Sequence, residues 1–343
     1  MKAKVGKTTN IVLRIAIMLL TIAYVYKQIH HRLEWDQWKQ VIDDLSQNRV
    51  SVWFAIAIIA LVPLNLFLES VKWKRLIDRL EKVTYNRAFT AVLTGLSVSM
   101  FLPNRVGDYL GKVFVLNHAN RIESILVTII GSIAQWIVFI AGGSLALIIV
   151  FPSTAVFQQP NALMYYIGLI IGLLLIVLLS LGVYFNLRVA QQLVTLLFPG
   201  LAPRLKRYIH VFSLYSGYDI LAILCISAMR YIVFTFQFFL MLRMLSFSIP
   251  YTQAILALAL MYMALTLIPT IALTELGVRG SVSVGIFTML FEHTDYWNEQ
   301  SVMAVLLASV IIWLINVAVP ALTGVFFVYR LKFIRNGNLW NRK

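Results

Sequence analysis

Charged residues and cysteines are scarce in this chain of 343 residues. Charged side chains make up 13% of the sequence, and Cys225 is the single cysteine, so one chain can form neither a disulfide framework nor a cysteine metal site. The five histidines are scattered and match no zinc-ligand motif. Walker, nucleophile-elbow and dinucleotide motifs are also missing. We therefore expect no metal, no cofactor and no catalytic activity.

Apolar residues dominate the rest of the sequence. They make up 60% of the chain, and the nearly continuous runs over 52–68, 124–150 and 163–185 are long enough to cross a hydrocarbon core of about 30 Å. The alternation typical of a membrane barrel is missing from these runs. Because helices are the other structure that satisfies its own backbone in lipid, the sequence predicts an all-α polytopic integral membrane protein.

Basic residues are unevenly distributed along the chain. Eighteen of them fall in four segments, before residue 8, over 72–87, over 188–207 and from 330 onward, whereas the loops expected on the opposite side hold five, four over 27–49 and Arg243. The positive-inside rule then places both termini in the cytoplasm, with the protein in the plasma (inner) membrane. The net charge of +15 is explained by contact with anionic headgroups, so no nucleic-acid partner is needed.

The topology predicts six full transmembrane helices and two re-entrant helical hairpins. Segment 88–118 lies between two cytoplasmic stretches, and arms of about 15 residues reach only about 22 Å, so it must enter the membrane and return. Segment 253–290 enters from the outside, although its arms could instead be ordinary tilted spans. Each hairpin lies between two full spans, and the two triplets of span, hairpin and span have opposite orientation. This is an inverted-topology repeat, the usual indication of a transporter site near the midplane.

The predicted organisation has six parts. They are an N-terminal anchor helix with a basic tail (1–27), an external interfacial amphipathic helix (28–50), a first repeat (51–150), a linking span with a basic loop (151–212), a second repeat (213–330) and a basic cytoplasmic tail (331–343).

Both hairpins turn at a proline that is followed by charges and glycines. The predicted turn residues are Pro103, Asn104 and Gly107 in the first hairpin, and Pro269, Gly277 and Gly280 in the second. Each break also holds an arginine and an acid, which are expensive at membrane depth unless paired or hydrated. Arginines and the N-termini of the returning helices would together attract a phosphate headgroup.

A structural explanation of these charges competes with the functional one. Arg105 and Asp108 are three residues apart, and Glu275 and Arg279 are four apart, so each pair can simply neutralise itself on a helix. Glu69 is predicted to bind a neighbouring helix. The apolar stripe Trp73, Leu76, Leu80 and Val83, flanked by basic residues, is predicted to lie against anionic lipid.

Three short motifs carry a resemblance to a known family. They are Lys72-Trp73-Lys74-Arg75-Leu76, the turn from Pro103 to Asp108 with Lys112, and Glu275-Leu276-Gly277-Val278-Arg279. In these motifs the chain resembles the lysylphosphatidylglycerol synthase transmembrane region, also called the flippase-like integral membrane proteins. The resemblance implies a lipid-translocating membrane domain, here in a short form without the soluble synthase domain of the long members. The expected substrate-binding residues are Arg105, Asp108, Lys112, Arg230, Glu275 and Arg279.

The expected function is therefore that of a lipid transporter, or flippase, which moves a phosphate-bearing headgroup between leaflets through a polar midplane site. The expected partners are membrane lipids, either an anionic phospholipid or a polyprenyl-phosphate lipid. Two alternatives remain open: a membrane-embedded enzyme and an accessory subunit of envelope lipid or glycan assembly. A homo-oligomer is compatible with all three.

Overall fold

The computed structural model describes residues 49–100, 106–153, 161–186, 210–268 and 272–327, with a few single positions between 187 and 209. All regular structure in these ranges is helical. The helices are α1 (Arg49–Ile77), α2 (Tyr85–Ser99), α3 (Val106–Phe114), α4 (Arg121–Val150), α5 (Ala162–Phe185), α6 (Gly217–Met244), α7 (Tyr251–Leu267), α8 (Ala272–Phe291), α9 (Glu299–Trp313) and α10 (Val319–Val325), with 3₁₀ turns at Phe151–Ser153 and His210–Leu214 and a π-helical turn at Leu314–Ala318 between α9 and α10.

Five segments among the described residues are long and apolar enough to cross a membrane. They are α1, α4, α5, α6 and the joined segment α9–α10. The shortest, α5, has 24 residues and is about 36 Å long, which exceeds the hydrocarbon thickness. The chain is thus an integral membrane protein built from helices, and five of the six predicted spans coincide with these segments. The predicted anchor (1–27) lies outside the described residues, as does nearly all of the predicted interfacial helix (28–50).

The segment predicted as the first hairpin folds into two short helices that lie against each other. With 15 and 9 residues, α2 and α3 are about 22 Å and 14 Å long, so neither can cross a membrane alone. Each helix has a glycine where the two touch, Gly95 on α2 and Gly111 on α3. A side chain would not fit there, since a Cβ on Gly111 would lie 2.6 Å from the Cα of Gly95. The paired helices agree with the predicted hairpin, and its entry into the membrane stays a prediction.

The second predicted hairpin is less symmetrical. α7 has 17 residues and α8 has 20, or about 26 Å and 30 Å, so α8 is long enough to be an ordinary span. The helices contact each other where Ser283 Oγ lies 3.1 Å from Met261 Sδ. The alternative of two tilted spans therefore stays open for this segment.

The prediction that Gly277 and Gly280 are turn residues is wrong. α8 begins at Ala272, so both glycines lie inside the helix. At Gly280 the missing side chain serves helix packing instead, since a Cβ there would lie 2.9 Å from Leu306 Cδ1 on α9. Gly107 lies in the first turn of α3, and its missing Cβ gives room to the backbone of Val98. Pro103, Asn104 and Pro269 lie outside the described residues.

The structure divides into two compact units. Among the described residues, unit 1 comprises those within 1–129, 270–278 and 308–343, and unit 2 comprises those within 130–269 and 279–307. The division into two repeats stays a prediction.

The core of unit 1 joins the end of α2 to the start of α8 and to the α9–α10 segment. Met100, Leu276 and Trp313 belong to one buried apolar cluster there. α10 packs closely on α2, because Gly324 leaves space for the carbonyl of Leu93 and Ser97 Oγ donates a hydrogen bond to the carbonyl of Ala321 at 2.6 Å. The short helix α2 is therefore held by the protein on the α10 side as well as by α3.

The apolar stripe at the end of α1 is part of this protein core. Trp73 and Leu76 are each 1% exposed, and Trp73 Nε1 donates to Thr128 Oγ1 on α4 at 3.2 Å. The prediction that this stripe faces lipid is wrong. A helical stripe has the same spacing whether it packs on protein or on a membrane, so periodicity alone could not separate the two.

Unit 2 contains α5, α6, α7 and the remaining parts of α4, α8 and α9. Its apolar core includes Ala146 and Val150 of α4 with Ala259 and Leu260 of α7. α5 is largely exposed within the described unit, since none of its most apolar stretch is buried and a Cβ at Gly168 or Gly172 would meet no atom within 4 Å.

Candidate functional site

Two acids and two lysines form a buried ion network between α1 and α3. Lys112 Nζ donates to Glu69 Oε1 and to Asp108 Oδ2, both at 2.7 Å, and Lys72 Nζ lies 2.8 Å from Glu69 Oε2. The lysine side chains are 2% and 3% exposed, and those of Glu69 and Asp108 are 14% and 18% exposed. We call Glu69, Lys72, Asp108 and Lys112 the ion network.

The two lysines and two carboxylates of the ion network balance each other in charge. This balance explains how the protein can keep four buried ionisable groups. Removing a charge from water costs several kcal/mol unless a partner of opposite sign with good geometry offsets the loss. Lys112 has such a partner on its own helix and another on α1. The Lys112 ammonium group is therefore shared between two carboxylates. If one carboxylate takes a new partner, the other can still neutralise the lysine.

Glycines set the geometry of the ion network. A Cβ on Gly95 of α2 would lie 2.5 Å from Asp108 Oδ1 and 3.0 Å from Lys112 Cγ. Gly107 and Gly111 follow the four-residue spacing that lets membrane helices approach closely. The acid and the lysine of α3 are thus held against the bare backbone of α2 at Gly95.

A third carboxylate, Glu81, ties the loop after α1 to the segment between α3 and α4. It accepts hydrogen bonds from the backbone N–H groups of Asn117, His118 and Ala119 at 2.7–3.1 Å, and its Oε1 lies 2.9 Å from Arg87 Nη1. Arg87 Nη2 donates in turn to the carbonyl of Val115 at 2.7 Å. Glu81 and Arg87, which we call the loop clasp, thereby close the open end of the α2–α3 pair.

The loop clasp predicts a pH-dependent contribution to stability. Burial by itself would raise the pKa of Glu81, but the three N–H donors and the Arg87 charge outweigh it and hold the pKa below the ordinary value. A lowered folded-state pKa gives stability that is present above the ordinary pKa and is lost as pH falls through the folded one. Glu81→Gln is expected to lower the unfolding free energy by about 1.5 kcal/mol at pH 7, measured by unfolding in detergent.

The difference between the wild-type protein and Glu81→Gln should shrink as the pH falls below 4.5, the ordinary pKa of glutamate. Glu292→Gln is the matched control, because Glu292 is an exposed carboxylate just after α8. A difference that stays constant down to low pH would show that the charge of Glu81 does not stabilise the fold.

Unit 2 holds a separate group of charged and aromatic side chains. Arg230 of α6 donates to Gln135 Oε1 of α4 at 3.2 Å, and its guanidinium carbon lies 5.4 Å from the centre of the Phe234 ring. Gln135 Nε2 donates to the carbonyl of Ser227 at 3.2 Å. This arrangement holds a cation in the middle of a membrane-spanning helix with a neutral amide and a ring as neighbours.

The predicted site residues do not form one site among the described residues. Some lie in the ion network and others lie on α6 or α8. Asp108 and Lys112 are both in the ion network, and Asp108 pairs with Lys112. Glu275 and Arg279 lie one turn apart on α8, and both are partly buried. Arg105 lies outside the described residues.

Sequence reasoning assigned Glu69 only to helix packing and Lys72 only to a motif. Glu69 does bind a neighbouring helix as predicted, but its partner Lys112 is 43 residues away in the sequence. The available signal was that Glu69 and Lys72 are spaced three residues apart at the end of an apolar span. That spacing predicts a local ion pair and does not reveal the second helix.

Comparison with protein families accounts for most of the chain. The family described as the lysylphosphatidylglycerol synthase TM region matches residues 11–319. The chain belongs to this family. Membership agrees with the resemblance in the motifs around Lys72, Lys112 and Glu275, and the family name indicates a phospholipid-related membrane role. A comparison with curated proteins gives no match.

Proposed function

We propose that this member of the lysylphosphatidylglycerol synthase TM-region family is a non-catalytic transporter that moves a phosphate-bearing lipid headgroup between leaflets. The observation that carries the proposal is the ion network. Four ionisable groups with exposures of 18% or less are costly in so apolar a chain, and apolar side chains would hold α3 on α1 at a lower desolvation cost. Charges kept at this cost within a membrane protein are functional candidates by default.

The connectivity of the ion network suits exchange of partners. Lys112 is shared by Glu69 and Asp108, so a phosphate oxygen can replace one carboxylate while the other still neutralises the lysine. A released carboxylate can take up a proton, or it can pair with an amine on the headgroup. The acyl tails would remain in lipid throughout.

A second feature that supports transport is the packing of the two predicted breaks. Met100, which ends α2 just before the first break, shares a buried cluster with Leu276, which lies beside Glu275 on α8. Both lie within unit 1. We propose that a polar route through the membrane passes this region. In the proposed topology, the protein lies in the plasma (inner) membrane and both termini are in the cytoplasm.

Asp108→Asn tests this function directly. The change keeps the size of the side chain and leaves Lys112 paired with Glu69, so folding should be preserved while one exchangeable charge is lost. Purified protein in vesicles should move fluorescent phosphatidylglycerol between leaflets, and the variant should do so roughly tenfold more slowly, which corresponds to about 1.4 kcal/mol in the barrier. Dithionite quenching of the outer leaflet measures the rate.

Asp295→Asn is the matched control, because Asp295 is exposed in the segment between α8 and α9. An equal rate in Asp108→Asn and the wild-type protein would remove the ion network from transport. A chemically altered lipid recovered from the vesicles would favour the enzyme, and neither movement nor product would favour the accessory subunit.

A further inference from the structure

The membrane-spanning segment α9–α10 is interrupted by the π-helical turn at Leu314–Ala318, which we call the π-turn. After it, the N–H group of Val319 donates to the carbonyl five residues back instead of four, and Pro320 has no N–H group to donate. In a regular α-helix these two positions would donate to the carbonyls of Ile315 and Asn316. The π-turn lacks both of these hydrogen bonds, so the backbone bends more easily here than in the helix on either side.

Pro320 and the π-turn belong together. In a regular helix the proline ring would collide with the carbonyl four residues earlier, and the wider π-turn relieves this collision. Asn316 Nδ2 donates to the carbonyl of Ile312 at 3.1 Å, so a side chain adds a bond where the backbone ladder is interrupted. Prolines and π-bulges are established causes of helix kinks, and π-bulges are frequent at functional sites.

Beyond the π-turn, α10 is fixed to α2 by contacts with backbone atoms. Ser97 Oγ of α2 donates to the carbonyl of Ala321 at 2.6 Å. A Cβ on Gly324 would overlap the carbonyl of Leu93, so α10 lies directly against the backbone of α2. Contacts this close leave little room for the two helices to slide past each other. We therefore treat α10 and α2 as one rigid body.

The end of α9 before the π-turn is held in a different way. Trp313 is buried in the apolar cluster of unit 1 that also contains Val310 of α9 and Leu276 of α8. The buried residues that the π-turn and α10 add to this cluster are small, namely Ala318 and Ala321. Apolar contacts are not directional, and small side chains interlock little, so this surface permits a shift that the contact between α10 and α2 does not.

The body formed by α10 and α2 also carries the ion network. α3 lies against α2 where a Cβ on Gly111 would be 2.6 Å from the Cα of Gly95, so a movement of α2 takes α3 with it. Asp108 and Lys112 both lie on α3, whereas Glu69 lies on α1. A swing of α2 and α3 would therefore separate Lys112 from Glu69 and leave Lys112 paired with Asp108. All of these parts belong to unit 1.

We infer that the π-turn and Pro320 form a hinge, at which α10 and the α2–α3 pair swing together relative to the end of α9 and open the bond between Lys112 and Glu69. The inference rests on the proposed function and adds the moving part that the exchange of partners requires. Hinges of this kind concentrate a change of backbone angles in a few residues between rigid bodies. In the open position the headgroup phosphate takes the place of Glu69 beside Lys112.

Pro320→Ala tests the hinge. Alanine supplies the N–H group that proline lacks and removes the ring, so the helix becomes stiffer at this point. The purified variant should unfold at the same or a higher temperature than the wild-type protein. It should nevertheless move fluorescent phosphatidylglycerol between leaflets about tenfold more slowly, because bending limits the rate. A residue with only a structural role would not lose rate while keeping stability.

Pro63→Ala is the matched control. Pro63 is an exposed proline inside α1, which is α-helical throughout and has no π-turn. This variant should keep the wild-type rate of lipid movement. If Pro320→Ala moves phosphatidylglycerol as fast as the wild-type protein, or if Pro63→Ala slows it equally, the hinge is overturned.

Hydrogen–deuterium exchange in detergent detects the hinge without lipid movement. The amides over 315–319 should exchange at least tenfold faster than those over 308–313, and Pro320→Ala should slow them about tenfold. Equal exchange in the two segments, or exchange unchanged by Pro320→Ala, would overturn the hinge whatever the transport rate. A wild-type protein that shows the fast exchange but moves no lipid would refute the transporter and leave the hinge in place.

Discussion

Replacing Lys112 with methionine is expected to lower the free energy of unfolding by about 3–5 kcal/mol. The methionine fills a similar volume, so packing is largely kept, but Asp108 loses its lysine and Glu69 loses one of its two lysines. A buried carboxylate without a partner bears its full desolvation cost. Chemical unfolding of the protein in detergent micelles, followed by tryptophan fluorescence, measures the change.

Two comparisons separate this loss from the general effect of removing a lysine. Lys82→Met changes an exposed lysine in the loop after α1 and should alter stability by less than about 0.5 kcal/mol. Adding Asp108→Asn to Lys112→Met should recover part of the lost stability, because the stranded carboxylate is then neutral. A double variant that is less stable than Lys112→Met alone would contradict the account of the ion network as a compensated set of charges.

The spans of this protein follow from its sequence, because each one is a continuous apolar run longer than the membrane is thick. The five candidate spans of the described chain could be predicted without knowing which helices pack against them. The short helices α2 and α3 could also be predicted, since their segment is too short to cross the membrane twice. The start of α8 could not be predicted, because Pro269 and the glycines at 277 and 280 indicated one long break, whereas the helix begins at Ala272. Glycine in a membrane helix serves close packing as often as it marks a turn.

The candidate site was predictable only in part, for the same reason. Asp108 and Lys112 are one helical turn apart, so their pairing could be inferred from spacing alone. Glu69 joins them because α3 is held by glycines against α2 and by the loop clasp at its far end, and such contacts leave no periodic signal.

Gly111→Ala is expected to cost about 3 kcal/mol, near the upper end for overpacking a tight interface. The new methyl group would lie 2.6 Å from Gly95 Cα and 2.7 Å from the carbonyl oxygen of Thr94. Both neighbours are backbone atoms and cannot rotate away, so α3 must move off α2 and carry Asp108 and Lys112 with it. Unfolding in detergent measures the loss, and lipid movement in vesicles should slow as well.

Gly172→Ala makes the same chemical change where the structure offers space. No atom lies within 4 Å of a Cβ at Gly172 on α5, so the variant should be as stable as the wild-type protein or slightly more stable, since alanine favours a helix over glycine. If the two variants lost equal stability, the cost at Gly111 would come from helix propensity or from the membrane and not from the contact between α2 and α3. A loss confined to Gly111→Ala would instead make that backbone contact the feature that holds the ion network in place.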